Sequence, residues 1–228
     1  MDVIANNVAN LGTTGFKAET VKFEEYLMPE AEWTADRFQD REMSYVQDVA
    51  TLRDYSPGAM VQTGSPLDVA INGKGWFVVN TPDGERYTRN GAFLLNQAGE
   101  LVTSEGYQVL GESGPMIFGT EDTGVSIASD GTVSTAAGNK GRLRVVEFET
   151  DMALRPEGTS LFTTDQTATI MTQPRVAQGV LEKSNVQPIA EISRMIEVNR
   201  AYQSLASMME KSDQLRRNAI NNLAEIPA

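Results

Sequence analysis

Pro188-Ile-Ala-Glu-Ile-Ser-Arg-Met-Ile-Glu-Val-Asn-Arg-Ala-Tyr-Gln-Ser-Leu-Ala-Ser-Met-Met209 is the stretch from which the rest of the chain is read. Met195, Val198, Tyr202, Leu205 and Met209 recur in alternating steps of three and four, the spacing of one helix face and of a heptad seam. Ile189, Ile192 and Ile196 widen the face at its start. Ala219 and Leu223 resume it after Ser212 and Arg216 interrupt it. No glycine or proline follows Pro188 up to residue 223, and proline suits a helix start. The spacing predicts a helix over 188–223. Such a stripe must be buried against the chain's own body, another terminal helix or a second copy, and periodicity alone does not separate these.

Upstream the texture changes. Over 64–180 short β-prone runs alternate with turn residues. Runs at 77–81 and 86–89 flank Pro82-Asp83-Gly84, those at 92–95 and 101–103 flank 96–99, and those at 125–128 and 132–134 flank Ser129-Asp130-Gly131. Glycine in such pairs accepts positive φ at no steric cost. Residues 143–148, 161–163 and 169–171 are further strand candidates. Between 23 and 63, where Pro29 and Trp33 interrupt the pattern, the sequence suggests an irregular, partly helical connector. At the amino end, over 1–22, Met1, Ile4, Val8 and Leu11 mark one face of a short helix, stopped by Gly12-Thr13-Thr14-Gly15. The expected class is α+β: a mainly β central domain over 64–180, flanked by an amino-terminal helix and by a carboxy-terminal helical region over 181–228.

Composition excludes several functions. The chain has 228 residues, 40% hydrophobic and 22% charged, as in a globular protein. No apolar run is long enough to span a bilayer, and no cleavable signal peptide is visible at the start. A net charge of −12 makes nucleic acid an unfavourable partner. Cysteine and histidine are absent, which removes disulfides, thiolate nucleophiles, His-based triads and His-ligated metals.

Three features invite a catalytic or ligand-binding reading and none sustains it. Gly73-Lys74-Gly75 lacks the rest of a phosphate loop and reads as a hairpin turn after Asn72. Glu24, Glu25, Glu30, Glu32, Asp36, Asp40 and Glu42 could supply a glycosidase pair, but strung along a connector they read as a solvated face. Trp76 and Phe77 could form a platform, yet neighbours on a strand point to opposite faces, so at least one belongs to the core. The expectation is therefore no catalytic residue, no metal and no cofactor.

Several blocks resemble the flagellar rod and hook proteins. The first is Asp2-Val-Ile-Ala-Asn-Asn-Val-Ala-Asn-Leu-Gly-Thr-Thr-Gly-Phe-Lys17, with Asn6, Asn7, Asn10, Thr14, Gly15 and Phe16 as its signature. The second is Gly64-Ser-Pro-Leu-Asp-Val-Ala-Ile-Asn-Gly-Lys-Gly-Trp-Phe-Val-Val79, with Pro66, Leu67, Asp68, Gly73 and Gly75. Tyr87-Thr-Arg-Asn-Gly-Ala-Phe93 is a third. Val176-Ala-Gln-Gly-Val-Leu-Glu-Lys-Ser-Asn-Val-Gln-Pro188, with Ser184 and Asn185, and Met195-Ile-Glu-Val-Asn-Arg-Ala-Tyr-Gln203 complete the set in the family's order. Ser44-Tyr-Val-Gln-Asp-Val49, Arg53-Asp-Tyr-Ser-Pro-Gly58 and Val109-Leu-Gly-Glu-Ser-Gly-Pro115 resemble the proximal-rod type more than the distal-rod type.

The resemblance implies a structural subunit of the proximal rod, polymerising into a drive shaft across the periplasm, with the terminal helices paired as a coiled coil in the assembled rod. Its partners would be other copies and neighbouring rod proteins, with no small-molecule substrate, and its export would use the flagellar type III apparatus. The interface seam would be Ile4, Val8, Leu11, Ile192, Met195, Val198, Tyr202, Leu205 and Met209. Family members carry further helix ahead of the first block, so the resemblance implies a late start or a shortened amino end here. A distal-rod protein and, more remotely, a secreted β-domain binding protein are the alternatives. A polymer subunit should lose order in 1–11 and 189–223 as a monomer, whereas a binding module should not.

Overall fold

The computed structural model describes residues 1–27 and 44–224, with side chains described at 1–21 and 51–219. Helix α1 (Asp2–Ala9) opens the chain, with Asp2 in its first turn, where a negative charge complements the helix dipole. Strands β1 (Glu19–Leu27) and β2 (Ser44–Arg53) then pair antiparallel from Glu19↔Arg53 to Leu27↔Ser44. Residues 23–27 and 44–53 of the expected irregular, partly helical connector are therefore strand, and 28–43 lie outside the described residues. Tyr45, Val46, Val49 and Thr51 are strand formers, and a partner strand allows an extended segment to satisfy its backbone hydrogen bonds. Pro29 and Trp33 lie outside the described residues.

The chain continues through β3 (Met60–Gln62), β4 (Val69–Ile71), β5 (Trp76–Thr81), β6 (Gly84–Thr88), β7 (Leu94–Leu95), β8 (Leu101–Val102), β9 (Gln108–Gly111) and β10 (Gly114–Pro115). It goes on through β11 (Ser126–Ile127), β12 (Thr132–Thr135), β13 (Gly138–Arg142), β14 (Val145–Glu147), β15 (Arg155–Glu157), β16 (Leu161–Thr163), β17 (Thr169–Ile170), β18 (Val176–Gln178) and β19 (Val180–Glu182). The main sheet follows the order β15-β16-β6-β5-β9-β8-β7, with β10 on β9 and with β14 joining β5 to β17. Chain return closes the domain: β18 pairs with β4, and β19 pairs with β3. Helix α2 (Pro188–Ala224) follows directly.

Strand β5 explains where the core sits. Its residues alternate between faces, and both faces are covered. Phe77 and Val79 join one cluster with Phe93, Val109 and Leu143, whereas Trp76 and Val78 join a second with Phe162, Leu154 and Val146. Trp76 packs edge-on to Phe162 at 4.8 Å and Phe77 to Phe93 at 5.2 Å. Both aromatics are thus core residues. The link 73–75 is a correction of detail. It joins β4 to β5, which are not paired with each other, so it is a connector and not a hairpin turn. Gly75 sits at φ +122°, where a Cβ would lie 2.8 Å from Val145 Cγ1.

Candidate functional site

Part of the signature, namely Asn6, Asn7, Asn10, Gly15, Phe16 and Asn185, converges where the two helices leave the β domain, whereas Leu67 and Gly75 lie with the central core. Helix α1 stops at Ala9, and Leu11, placed on its face by the sequence pattern, lies beyond the helix end. Its asparagines turn inward. Asn7 Nδ2 donates to Glu19 O and Asn7 Oδ1 accepts from Glu19 N, each at 2.8 Å, so one buried amide stands in for a strand neighbour of β1. Asn6 Nδ2 donates to Glu19 Oε2 at 3.0 Å. Asn10 Nδ2 donates to Asn6 O at 2.9 Å, and its Oδ1 accepts from the Thr13 hydroxyl. The other oxygen of Glu19 pairs with Arg53, whose guanidinium lies 5.7 Å from the centre of the buried Phe16 ring. After the half-buried Thr14, Gly15 donates its N–H to Glu182 O at 2.8 Å. It has φ +71° and packs so closely that a Cβ would lie 2.5 Å from Arg89 C, which only glycine tolerates.

At the centre is a buried ionic trio. Lys17 Nζ donates to Glu182 Oε1 at 2.6 Å and to Ser56 O at 2.7 Å. Glu182 Oε1 also accepts from Gly58 N at 3.0 Å, while its Oε2 faces Arg89 Nη1 at 3.3 Å. Arg89 Nη2 donates to Gly73 O at 2.8 Å, and its guanidinium lies 5.2 Å from the Trp76 ring centre. The Lys17 and Glu182 side chains are each 1% exposed. Burial pulls the Lys17 ammonium below its ordinary 10.5, against the opposing pull of Glu182. Burial likewise lowers Arg89, again opposed by Glu182.

Asn185 binds the carboxy-terminal side to the same point. Its Oδ1 accepts from Ala18 N at 2.7 Å, and its Nδ2 donates to Asp54 O at 2.8 Å and Ser56 O at 3.2 Å. The Ser184 hydroxyl accepts from Val186 N. Pro66 O accepts from Gln178 Nε2, and Asp68 O accepts from Gly179 N, while Leu67 packs on the first core cluster. Lys17, Arg89, Glu182 and Glu19 carry this anchor, yet no spacing in the sequence singled them out. For Lys17, Arg89 and Glu182 the only signal was membership of the blocks, and Glu19 lay outside them.

The seam residues divide. Met1, Val3, Ile4 and Val198 line a groove of about 420 Å³ between α1, β1 and the first turns of α2. Val8 and Met195 are half-buried. Ile192 is exposed, and so are Tyr202, Leu205 and Met209, at 75%, 62% and 67%. Met208 and Leu215 are exposed beside them. Among the described residues no cluster of acidic side chains could hold a metal ion, and no helix is long and apolar enough to cross a membrane. Glu24 and Glu25 fall on β1, while Glu30, Glu32, Asp36, Asp40 and Glu42 lie outside the described residues.

Termini anchored together on a β domain, with an apolar helix face left bare, define the class of the axial proteins of the bacterial flagellum once the family comparisons are added. Residues 1–17 match the model of the flagella basal body rod protein, 70–135 the D1 domain of the flagellar hook protein FlgE/F/G, and 177–223 the carboxy-terminal region of the flagellar basal body rod FlgEFG proteins. The FlgF basal-body rod protein of Caulobacter vibrioides is 38% identical over 99% of this chain and 92% of its own length. FlgF of Mesorhizobium japonicum is 31% identical over 98% of this chain, and FlgG of Bacillus subtilis is 33% identical over 97%. The chain belongs to the flagellar basal-body rod protein family, and it is more similar to the Caulobacter FlgF than to the Bacillus FlgG.

Proposed function

We propose that this subunit polymerises into the proximal rod through the bare face of α2, and that its role is mechanical and not catalytic. One observation carries the reading: Tyr202, Leu205, Met208 and Met209 project from a helix that its own β domain does not cover. Burying each contributes roughly 1.5–3 kcal/mol gross, a gain repeated at every subunit of an open tube. On this reading α1 and α2 of neighbouring copies pair as a coiled coil along the seam. The β domain rides outside, held by the polar anchor, and the shaft carries torque across the periplasm. Export through the flagellar type III apparatus without a cleaved signal peptide belongs to the same reading, as does the lack of any substrate or cofactor.

Leu205→Asp tests it. A charge on the seam must be buried unpaired or prevent packing, at a cost of several kcal/mol. A strain carrying only this variant should not swim, while the purified variant keeps the β-domain circular dichroism of the parent. Normal swimming would remove the seam from the assembly.

A further inference from the structure

Asparagine followed by glycine occurs twice in the chain, at Asn72-Gly73 and at Asn90-Gly91. Closure of the asparagine side chain onto the next backbone nitrogen meets least steric resistance there, because glycine carries no Cβ. The fold treats the two pairs in opposite ways. Asn90 is half-buried, and its Oδ1 accepts from Ala92 N at 3.1 Å. A Cβ on Gly91 would lie 1.6 Å from Val69 O, so this backbone is wedged against β4. Asn72 and Gly73, by contrast, are exposed on the connector between β4 and β5. Among the described residues the Asn72 side chain and the Gly73 N–H make no hydrogen bond, and a Cβ on Gly73 would meet nothing within 4 Å.

The flanking backbone is nevertheless held. Asn72 N donates to Arg175 O at 2.7 Å. Arg89 Nη1 lies 3.5 Å from Ile71 O and its Nη2 donates to Gly73 O at 2.8 Å, so one guanidinium spans the residues on either side of Asn72. Lys74 follows in the chain. Negative charge that develops during attack on the side-chain amide therefore forms in a positive field.

We infer that Asn72 is a site of spontaneous deamidation, and that its isoaspartate product loosens the Arg89 end of the buried trio. The Gly73 nitrogen attacks Asn72 Cγ and gives up its proton. The N–Cγ bond forms, the Cγ–Nδ2 bond breaks, and ammonia leaves with that proton. Water then opens the succinimide. Hydrolysis at Cγ yields aspartate on the original backbone. Hydrolysis at the backbone carbonyl yields isoaspartate, whose main chain runs through Cβ and Cγ and is one carbon longer. Water is the only co-reactant, and nothing is oxidised or reduced. Either product adds one negative charge, but only isoaspartate lengthens the path between the two carbonyls that Arg89 reaches together.

The purified protein is incubated at mildly alkaline pH, folded and, in parallel, unfolded in guanidinium chloride. Peptides are then resolved by mass spectrometry that separates asparagine, aspartate and isoaspartate. In the folded protein residue 72 should convert, and residue 90 should lag by about tenfold or more, since ring closure there requires local opening first. In the unfolded chain both should convert. Asn72→Gln, an exposed change, should remove the acidic species that ion exchange collects from the parent. The isoaspartate-bearing fraction should unfold at lower urea than Asn72→Asp, which carries the same charge on an unlengthened backbone. Asn72 staying intact in the folded protein while the unfolded chain converts would overturn the site, as would equal rates at 72 and 90 or an acidic species that persists in Asn72→Gln. An isoaspartate fraction no less stable than Asn72→Asp would overturn its link to the trio.

Discussion

Glu182→Gln removes one charge from the centre of the anchor and changes almost no volume. The native carboxylate accepts from Lys17, from Gly58 N and, more loosely, from Arg89. Glutamine keeps one acceptor oxygen but turns an NH₂ group toward a cation, donor against donor. Two buried cations then lack their counter-charge. Breaking a buried ion pair by removing one partner costs about 3–5 kcal/mol. Lys17 has an escape, since it can fold unprotonated. From its ordinary 10.5, neutralising it at pH 7 costs nearly 5 kcal/mol at about 1.4 kcal/mol per unit, and only about 2 kcal/mol at pH 9. The loss should therefore be about 3–5 kcal/mol at pH 7 and should shrink toward pH 9, with the remainder due to Arg89.

The sign follows from linkage. Lys17 has a native pKa below its unfolded value, so between the two the unfolded chain binds more protons and stability rises with pH. Burial raises Tyr55 and Tyr87 above their ordinary 10.0, so stability falls again at higher pH, and the comparison stops at about pH 9. Urea titrations followed by tryptophan fluorescence in a Trp33→Phe background, where Trp76 alone emits, suit the purpose, because the Arg89 guanidinium lies against that ring. A loss below about 1 kcal/mol, or an equal loss at both pH values, would refute the view of the trio as a tightly coupled buried cluster.

Two further outcomes are expected. The Asp122 carboxyl is held at about 2 by the hydrogen bond from Lys140, then by those from the Thr135 hydroxyl and Gly119 N–H, so its contribution is present above 3.8 and lost as pH falls through about 2. Asp122→Asn should lower stability at pH 6 and flatten its fall between pH 4 and 2, as read by chemical denaturation at each pH. In the monomer, amide exchange should be slow at Asn7 and Glu191, which are buried at the anchor, and fast beyond Val198, where α2 is exposed. Slow exchange through Leu205 in a confirmed monomer would show the helix packed on its own chain.

What the sequence made legible is what period alone encodes. The stripe from Met195 to Met209 lies on one continuous helix, so its spacing survives into space unchanged. Trp76 and Phe77 read correctly as strand residues facing opposite ways. That both are buried depended on a second layer that no local pattern announces. The β1–β2 pairing is not legible in the sequence because pairing is non-local and no turn signal of the Asn-Gly or Asp-Gly kind stands between the two strands. The anchor was least legible. Glu182 lies 165 residues from Lys17 and 93 from Arg89, so no spacing rule links them, and an isolated Lys17 or Glu182 reads as a solvated charge.

That the anchor is polar bears on what it does. An apolar contact between the chain ends and the β domain would strand no polar group on slipping and would lose only packing, whereas a polar one loses its partners outright. The amide of Asn7 fits the Glu19 backbone at one register only, and Glu182 reaches Lys17, Gly58 and Arg89 together from one position. Each wrong register strands a buried charge or amide, a larger penalty than the net gain of any single bond in the right one. The cluster thus fixes the direction in which α2 leaves the body more than it stabilises the body. On the proposed reading this is where a shaft subunit needs rigidity: helices packed along the axis can turn an outer domain only if the joint between them resists twist. On that reading the seam supplies attachment and the anchor supplies angle, and the two should fail differently. Loss of the seam, as in Leu205→Asp, should leave folded monomers. Loss of the anchor, as in Glu182→Gln, leaves the apolar face of α2 intact and loosens the geometry that presents it.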